Sequence, residues 1–292
     1  MASEGDRRAD PEVERRSRLL GGLHFEGEGA KGVAIALLST AVFLTVVIIA
    51  VTQSAGWPEV KRTFFDWGDI SSSFPDIARA FVLNVKIFLV CEVFILLLAL
   101  VIAVLRSLPG PVFFPLRALA ILYSDLARGV PTILVIALLG FGAPALQLTG
   151  VPRSRVFWAG VGLILIYSGY VAEVYRAGIE SVHPSQEAAA RSLGLSRFQA
   201  LRRVILPQAI RRVIPPLLND FIGLQKDTAL VYTLGVVDAF GQASIDSAAT
   251  FTYGAYLAAA VLFVAITIPL ARFTDWLVAR DRRRRQATGV VA

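Results

Sequence analysis

The sequence contains few of the residues that form disulfides or bind transition metals. It has one cysteine, Cys91, and two histidines, His24 and His183, among 292 residues. A single cysteine cannot form an intramolecular disulfide, and these three side chains cannot build the Cys/His cluster of a zinc site. We therefore expect neither redox chemistry nor a metal site, and no cofactor bound by this chain.

Charged residues are also scarce. They make up 17% of the chain, whereas 55% of its residues are hydrophobic and the mean hydropathy is +0.64. A soluble fold of this composition would expose more apolar surface than soluble monomers tolerate. The sequence therefore predicts a membrane protein.

Six apolar stretches are long enough to cross a bilayer as helices, which requires roughly 17 to 25 residues. They are 33–52, 77–105, 130–146, 156–172, 213–237 and 253–271. The fifth stretch also contains Pro215 and Pro216, and we expect these prolines to open it. The pattern predicts an all-α polytopic helical bundle with both termini on one side of the membrane.

The distribution of basic residues indicates the orientation of this bundle. Of the 29 lysines and arginines, 22 lie in the termini and in the loops on the same side, and four lie in the opposite loops. Because Lys and Arg are enriched in cytoplasmic loops, both termini are expected in the cytoplasm, as charged tails at 1–31 and 281–292. The net charge of +7 is then explained by topology and by contact with the lipid bilayer, and we expect no nucleic-acid partner.

The most informative segment is the basic, amphipathic loop QEAAARSLGLSRFQALRRVILPQAIRR at 186–212. Gly194 suits the left-handed cap that ends a first helix, and Ser196 suits the cap that begins a second. Pro207 is expected to interrupt the second helix, which leaves two short helices joined by a turn. From the pattern alone, this helix-turn-helix either lies on the lipid surface or docks against a cytosolic partner.

In this loop the chain resembles the permease subunits of bacterial ATP-binding-cassette importers, specifically the polar amino-acid uptake family. The family signature is Glu-Ala-Ala, three residues, Gly, nine residues, Ile, one residue and Leu-Pro. The positions at the family spacing are Gly194, Val204, Leu206 and Pro207. The acidic residue, Glu187, lies one position before the family's Glu, which turns it by about 100° around a helix.

The resemblance extends to RGVP at 128–131, GYVAEVYRAGIESV at 169–182 and PQAIRRVIPPLLNDFIGLQKDTALVYTLGV at 207–236. Together with the loop, these segments cover most of 77–280. We interpret 77–280 as the permease core, with a cytoplasmic coupling loop at 181–212. Residues 32–76 lie outside the match and are interpreted as an additional transmembrane helix followed by an extracytoplasmic loop.

The resemblance implies a type I importer permease fold in the cytoplasmic (inner) membrane of a bacterium. It also implies a pore formed with a second permease subunit, as a homodimer or heterodimer, and an extracytoplasmic solute-binding protein that delivers the substrate. Cytosolic ATP-binding subunits would dock on the loop and use ATP and Mg²⁺. The chain has no Gly-x-x-x-x-Gly-Lys-Ser/Thr phosphate loop of its own, so we expect a transport subunit and not an enzyme.

Nine loop residues are expected, through this resemblance, to couple the permease to the ATPase. They are Ser185, Gln186, Glu187, Ala188, Ala189, Ala190, Gly194, Leu206 and Pro207. The short side chains of three consecutive alanines would allow close seating against a partner, and the glycine provides the turn.

Polar side chains within the predicted spans are the candidates for translocation or gating, because a charge at a span centre costs about 2.5 to 3.5 kcal/mol. They are Glu92, Asn219, Gln225, Lys226, Asp227 and Thr228. Glu92 either contacts a substrate ammonium group or forms an interhelical ion pair. Lys226 and Asp227 either act in translocation or pair with each other.

A separate set near the end of the fourth span has the spacing of structural ion pairs. Arg176 lies three residues after Glu173 and four before Glu180. Side chains at these spacings are neighbours on one helix face. We interpret the three residues as structural.

Two alternative functions stay open at the level of the sequence. A scaffold or assembly subunit without transport would keep its function when the polar residues of its spans are replaced by apolar ones. A self-contained ion-coupled secondary transporter or channel would use Glu92 and Lys226 for ion coupling, and the loop would lie on the lipid. Dependence on ATP or on an ion gradient distinguishes such a transporter from the importer. Intramembrane hydrolysis is disfavoured, because His183 lies in a loop and the spans hold no paired catalytic groups at suitable spacing.

Overall fold

The computed structural model of the chain describes residues 30–108 and 110–287, and regular structure within these residues is entirely helical. The tail predicted at 1–31 lies outside the described residues except for its last two positions. The tail predicted at 281–292 lies outside them from residue 288 onward. The chain divides into two units at Val60 and Lys61.

The first unit contains helix α1, Ala30–Thr52. Its 23 residues extend about 34 Å, enough to cross a bilayer core of about 30 Å. All side chains from 33 to 52 are exposed. An apolar helix that is exposed on every side is stable in lipid or against a partner, and not in water. This helix is the first span that the sequence predicted.

The other helices in the described residues are α2 (Trp57–Phe64), α3 (Trp67–Ser107), α4 (Phe114–Gly129), α5 (Thr132–Ala145), α6 (Arg155–Glu180), α7 (Pro184–Ser192), α8 (Arg197–Ala200), α9 (Leu206–Asp227), α10 (Ala239–Thr250) and α11 (Gly254–Ala287). A π-helical turn, Leu201–Ile205, joins α8 to α9, and a 3₁₀ segment, Thr228–Leu234, follows α9. Four described helical segments are long and apolar enough to cross a membrane, and two bent helix pairs raise the number to as many as six. The predicted all-α polytopic bundle is confirmed.

Helix α3 is longer than the span predicted at 77–105. Asp66 caps its first turn, since the carboxylate accepts the backbone N–H groups of Gly68 at 2.8 Å and of Asp69 at 3.3 Å. The 41 residues of α3 extend about 60 Å, roughly twice the bilayer core. The sequence predicted an extracytoplasmic loop up to residue 76, and the structure has α2 and the first ten residues of α3 within that stretch.

Helix α6 is the centre of the second unit and packs against α3, α4, α5 and α9. Fully buried side chains at these contacts are Ile95, Ile136, Leu163 and Leu224. Glycine allows α6 to approach α4 closely, because a Cβ added at Gly169 would lie 2.4 Å from the Cβ of Ala127. Small residues at such contacts are typical of helix packing in membranes.

A second core joins the N-terminal half of α3 to α10 and α11. Its buried side chains are Ile77, Phe81, Ala239, Ala243, Ala255, Ala258 and Ala259. The ring of Phe81 meets that of Phe263 on α11 edge to face, with centroids 5.0 Å apart. The two cores together bury both halves of α3 against neighbouring helices.

The third predicted span, 130–146, is one arm of a bent pair of helices. Helix α5 has 14 residues and extends about 21 Å, which is too short for a bilayer core of about 30 Å. The region predicted as a turn before it contains α4, and the two helices meet at an angle of 101°. The bend lies where Pro131 lacks an N–H and holds Val130 in an extended conformation, at φ −98° and ψ 130°.

The fifth predicted span is broken at a different place from the one the sequence predicted. Helix α9 runs without a break through Pro215 and Pro216, which membrane helices tolerate when neighbouring groups replace the lost backbone bonds. The break is formed by the 3₁₀ segment and by Gly235, which has φ +73°. The backbone then turns by 54° into α10, whose N-terminus is capped by Asp238.

We predict that Gly169→Ala lowers the free energy of unfolding by about 1 to 3 kcal/mol, because the added methyl group overpacks the contact of α6 with α4. Thermal unfolding of the purified chain in detergent measures this change. Gly142→Ala on α5 is the control, since nothing lies within 4 Å of its added Cβ, and it should not destabilise. Adding Ala127→Gly to the Gly169 variant should restore stability, and failure to do so would contradict the packing explanation.

Candidate translocation site and coupling loop

A cluster of ion pairs joins three helices at one end of α6. The carboxylate of Glu173 lies 2.8 Å from the guanidinium of Arg106 on α3 and 3.5 Å from that of Arg128 on α4. Arg176 pairs with both Glu173 and Glu180. The side chains of Glu173 and Arg106 are 24% and 13% exposed, so water screens this pair less than an exposed one.

The sequence analysis selected the three members of this cluster that lie on α6. Their spacing along one helix is visible in the sequence, because it follows the helical repeat. Arg106 and Arg128 were missed as partners, since they come from other helices and their charge was explained by topology. The structure brings them to the same carboxylate.

The loop between α6 and α9 begins with α7 and turns at Gly194. This glycine has φ +84°, a conformation that side chains with a Cβ adopt at a cost. The backbone N–H of Leu195 donates to the carbonyl of Ala190 at 3.2 Å, which closes a left-handed helix cap. The cap predicted at Gly194 is confirmed.

The second helix of the loop begins with a capping box. The Ser196 hydroxyl accepts the N–H of Gln199 at 3.3 Å, and the Gln199 side chain accepts the N–H of Ser196 at 2.9 Å. The interruption predicted at Pro207 is wrong. The π-helical turn Leu201–Ile205 accommodates the proline, which lacks an N–H, and helical backbone continues from residue 197 to 227.

This continuity attaches the loop directly to the broken span. At the base of the loop, the Arg212 side chain donates to the carbonyl of Ser181. The same region packs tightly, because a Cβ added at Gly178 would lie 2.7 Å from Cγ2 of Val213. The loop is therefore carried by a packed helical stem that is continuous with α9.

Two exposed apolar side chains of the loop were not selected by the sequence analysis. Leu193 and Phe198, on either side of the Gly194 turn, are 84% and 68% exposed. Of the predicted coupling residues, Ser185, Gln186, Ala188, Ala189, Gly194, Leu206 and Pro207 are exposed, Glu187 is half-buried and Ala190 is buried. Glu187 lies 3.7 Å from Arg197, so the displaced acidic residue links the two loop helices.

A buried polar cluster holds the broken span against α3. The side-chain amide of Asn84 donates to Asp238 at 2.8 Å and to Thr228 at 3.2 Å, and its carbonyl accepts the N–H of Ala239 at 3.1 Å. Asn84 is 1% exposed, and Thr228 and Asp238 are fully buried. One side chain thus joins the start of the 3₁₀ segment to the start of α10.

The sequence analysis included Thr228 among its candidates but missed Asn84 and Asp238. Asn84 is uncharged and lies within an apolar helix, and Asp238 follows the last residue of the predicted fifth span. A single asparagine in an apolar helix was the available signal, because a polar side chain at membrane depth needs a partner.

Two other candidates also hold α9 in place. The side-chain carbonyl of Gln225 accepts the hydroxyl of Thr267 on α11 at 3.0 Å. The carboxylate of Asp227 accepts the hydroxyl of Tyr167 on α6 at 2.9 Å. Both side chains are therefore engaged with neighbouring helices.

The remaining candidates are Glu92, Asn219 and Lys226. The structure does not bring their side chains together with the contacts of Gln225, Asp227 and Thr228. Asn219 and Lys226 are seven residues apart on one exposed face of α9. Among the described residues, neither Glu92 nor Lys226 has an ion-pair partner within 4.0 Å. The sequence analysis considered an interhelical ion pair of Glu92 and a pair of Lys226 with Asp227. Neither pair is formed within the described residues. Next to Asn219, Asp220 has a buried carboxylate oxygen without a hydrogen-bond partner in the described part of the chain.

Comparison with known proteins gives a consistent family match. Residues 69–283 match the family described as binding-protein-dependent transport system inner membrane component. The chain is 36% identical over 204 residues to the probable amino-acid permease protein YxeN of Bacillus subtilis, covering 70% of this chain and 90% of that protein. It is 37% identical over 187 residues to the probable glutamine ABC transporter permease protein GlnM of the same organism, covering 63% and 82%.

Solved structures show the same architecture. A crystal structure of an amino acid ABC transporter with histidines contains a chain that superposes with a TM-score of 0.67 at 29% identity, covering 74% of this chain and 98% of that one. A chain of the MetNI methionine ABC transporter in an inward-facing conformation superposes with a TM-score of 0.56 at 18% identity, covering 70% and 95%. The second similarity concerns the fold alone.

We predict that Asn84→Ala loosens the broken segment, because Asp238, Thr228 and the Ala239 N–H lose a buried partner, at about 1 to 3 kcal/mol for each unsatisfied group. Hydrogen exchange followed by mass spectrometry should show faster exchange confined to 228–240. Ser72→Ala, at an exposed position of the same helix, is the control. Unchanged exchange at 228–240 in the Asn84 variant would contradict the assigned role.

Proposed function

Because the chain belongs to the binding-protein-dependent transport system inner membrane component family, we propose that it carries a polar amino acid across the inner membrane. It is the permease subunit of an ATP-binding-cassette importer for amino acids. Relatives named as glutamine and glutamate/aspartate permeases support a polar cargo. The alternative of a self-contained ion-coupled transporter is set aside, since transport in this family depends on a binding protein.

This function requires partner chains. We assign delivery of the substrate to an extracytoplasmic solute-binding protein, and hydrolysis of ATP with Mg²⁺ to cytosolic ATP-binding subunits. A second permease subunit, identical or related, would complete the pore. The excess of basic residues supports a cytoplasmic location for both termini and for the loop at 181–212. The permease core, which the sequence analysis placed at 77–280, would take in the whole of α3, since the family match begins at residue 69, and α1 would be an addition.

The observation that carries the coupling mechanism is the continuous helical stem from Arg197 to Asp227. A stiff stem transmits displacement, whereas a flexible linker would absorb it. Closure of the ATP-binding subunits would move the loop and α9 as one body. The movement would reach the 3₁₀ segment and Asn84, where the span is already broken, so the bend is the place where the pathway can open or close.

The docking surface would centre on the Gly194 turn. Leu193 and Phe198 present bulky apolar side chains there, and exposed aromatic residues often contribute most of the binding energy in protein interfaces. Ala188 and Ala189 are exposed beside them on α7 and would allow a partner to approach closely. The ion pair of Glu187 with Arg197 would keep the two helices of this surface together.

Translocation would use the polar groups that the fold leaves accessible. Asn219 and Lys226 lie on the exposed face of α9, where a second permease subunit could complete a polar pathway. An amino acid carries a carboxylate and an ammonium group, which Lys226 and an acidic group such as Glu92 could each receive. Gln225, Asp227 and Thr228 would act by positioning α9, since their side chains contact neighbouring helices.

We predict that Gly194→Val reduces ATP-driven uptake of amino acid about tenfold or more. A β-branched residue in the left-handed conformation introduces roughly 1 to 2 kcal/mol of strain at the docking turn. Uptake of radiolabelled amino acids by cells carrying the complete importer measures the effect, with membrane insertion checked by immunoblot. Gly150→Val is a matched control, because Gly150 has φ +81° and equally open surroundings. Normal uptake by the Gly194 variant would contradict the coupling role, and equal loss in both variants would assign the effect to strain alone.

We predict that Phe198→Asp releases the ATP-binding subunits without unfolding the permease. An acidic residue in the first turn of a helix is favourable to it, whereas loss of an interface aromatic weakens binding by about 2 kcal/mol or more. Affinity purification in mild detergent, with the bound ATPase identified by mass spectrometry, measures the change. Phe251→Asp is the control, because Phe251 is 89% exposed and lies outside the loop. Retention of the ATPase by the Phe198 variant would contradict the proposed surface.

A further inference from the structure

Arg155, the first residue of α6, contacts the end of the broken span. Its guanidinium donates to the carbonyl of Leu234, the last residue of the 3₁₀ segment, at 2.9 Å. The same guanidinium lies over the ring of Phe141 on α5, 5.7 Å from the ring centroid. One side chain therefore joins α5 and α6 to the point where the span breaks.

Two glycines leave room for this contact. Gly235, which follows the 3₁₀ segment, would bring an added Cβ to 3.3 Å from Nη1 of Arg155, so a larger residue there would crowd the guanidinium. On α5, a Cβ added at Gly140 would lie 2.3 Å from Cδ1 of Leu234, whose side chain is fully buried. The carbonyl and the side chain of Leu234 are thus both held by neighbouring helices.

The charge of Arg155 is directed at a carbonyl and not at a carboxylate. No acidic side chain within the described residues lies within 4.0 Å of its guanidinium. The C-terminal end of a helical segment carries a partial negative charge, which favours a cation there. Arg155 is also one of the four basic residues on the side opposite the coupling loop, where Lys and Arg are rare. The contact with Leu234 therefore accounts for this arginine, and the membrane topology does not.

The contact closes the far end of a helix pair that the coupling loop joins at its near end. Helix α6 has 26 residues and extends about 39 Å. At the base of the loop, Arg212 donates to the carbonyl of Ser181. Near the middle of α6, Tyr167 donates to the carboxylate of Asp227 at 2.9 Å. Together with Arg155, these bonds tie the stem and the 3₁₀ segment to α6 at both ends and between them.

We propose that Arg155 is a positioning residue for transport, which keeps the end of the broken span fixed to α6 when the coupling loop moves. The proposal rests on the coupling mechanism proposed above. Asn84 holds the start of the 3₁₀ segment and Arg155 holds its end. A stem displaced at one end turns the bend only if the far end is held, because a loose end absorbs part of the displacement.

Removal of the contact should separate ATP hydrolysis from transport and leave the fold intact. Arg155 is exposed, so water can replace its bond to the Leu234 carbonyl. Arg155→Met keeps a long side chain and removes the charge and the donors. Arg155→Lys keeps a cationic donor.

The test uses the full importer, reconstituted in liposomes with its partner subunits and supplied with its solute-binding protein. Uptake of radiolabelled glutamine and glutamate and release of phosphate are measured on the same vesicles, and the readout is the ratio of amino acid to ATP. We expect Arg155→Met to lower this ratio about fivefold, with ATP hydrolysis retained. Arg155→Lys should recover most of the ratio.

Arg153→Met is the matched control, because Arg153 has the same charge, is also exposed and lies two residues earlier. It should leave the ratio unchanged. A merely structural role of Arg155 would lower uptake and hydrolysis together, since fewer importers would be active. An unchanged ratio in Arg155→Met, or an equal fall in Arg153→Met, would therefore overturn the proposal.

Hydrogen exchange without nucleotide or cargo tests the contact itself. Exchange at 230–236 should be faster in Arg155→Met than in the unchanged chain, and unchanged exchange there would also overturn the proposal. Absence of ATP-driven uptake by the unchanged importer would instead contradict the proposed function. Normal uptake by the unchanged importer together with an unchanged ratio in the variant would contradict the role of Arg155 alone.

Discussion

A backbone that breaks inside a bilayer has to find its hydrogen-bond partners within the protein, because lipid offers none. In this chain the break between α9 and α10 depends on Asn84, which bonds to Asp238, to Thr228 and to the first N–H of α10. One buried amide therefore determines where the span can bend and holds the bend against α3. The positions of α9, α10 and α11 follow from this contact and from the small residues packed around it.

Other contacts hold the remaining helices of this unit together. Close packing at Gly169 and the ion pairs around Glu173 hold α3, α4 and α6 together. The stem from Arg197 to Asp227 continues from the loop as unbroken helical backbone. The stem ends at the 3₁₀ segment, which has no regular α-helical bonds, so the proposed coupling would act on this segment.

Local features were predictable because they depend on neighbours in the sequence. The caps at Gly194 and Ser196, the helical periodicity and the ion pairs of Arg176 all act within a few residues. The effects of proline were predicted less well. Pro207 was expected to end a helix that a π-helical turn in fact continues, and Pro215 was expected to open a span that stays helical. Proline removes a backbone donor, and whether the helix then breaks depends on the groups packed around it.

The sequence by itself determined the membrane environment, the all-helical class, the basic loop and the family, because composition, periodicity and a short motif carry that information along the chain. The tertiary structure alone decided that Asn84 meets Asp238, that Arg106 meets Glu173 and that Arg155 meets Leu234. These contacts join residues far apart in sequence. They depend on how each helix is rotated and where helices cross, and both follow from the packing of all side chains at once.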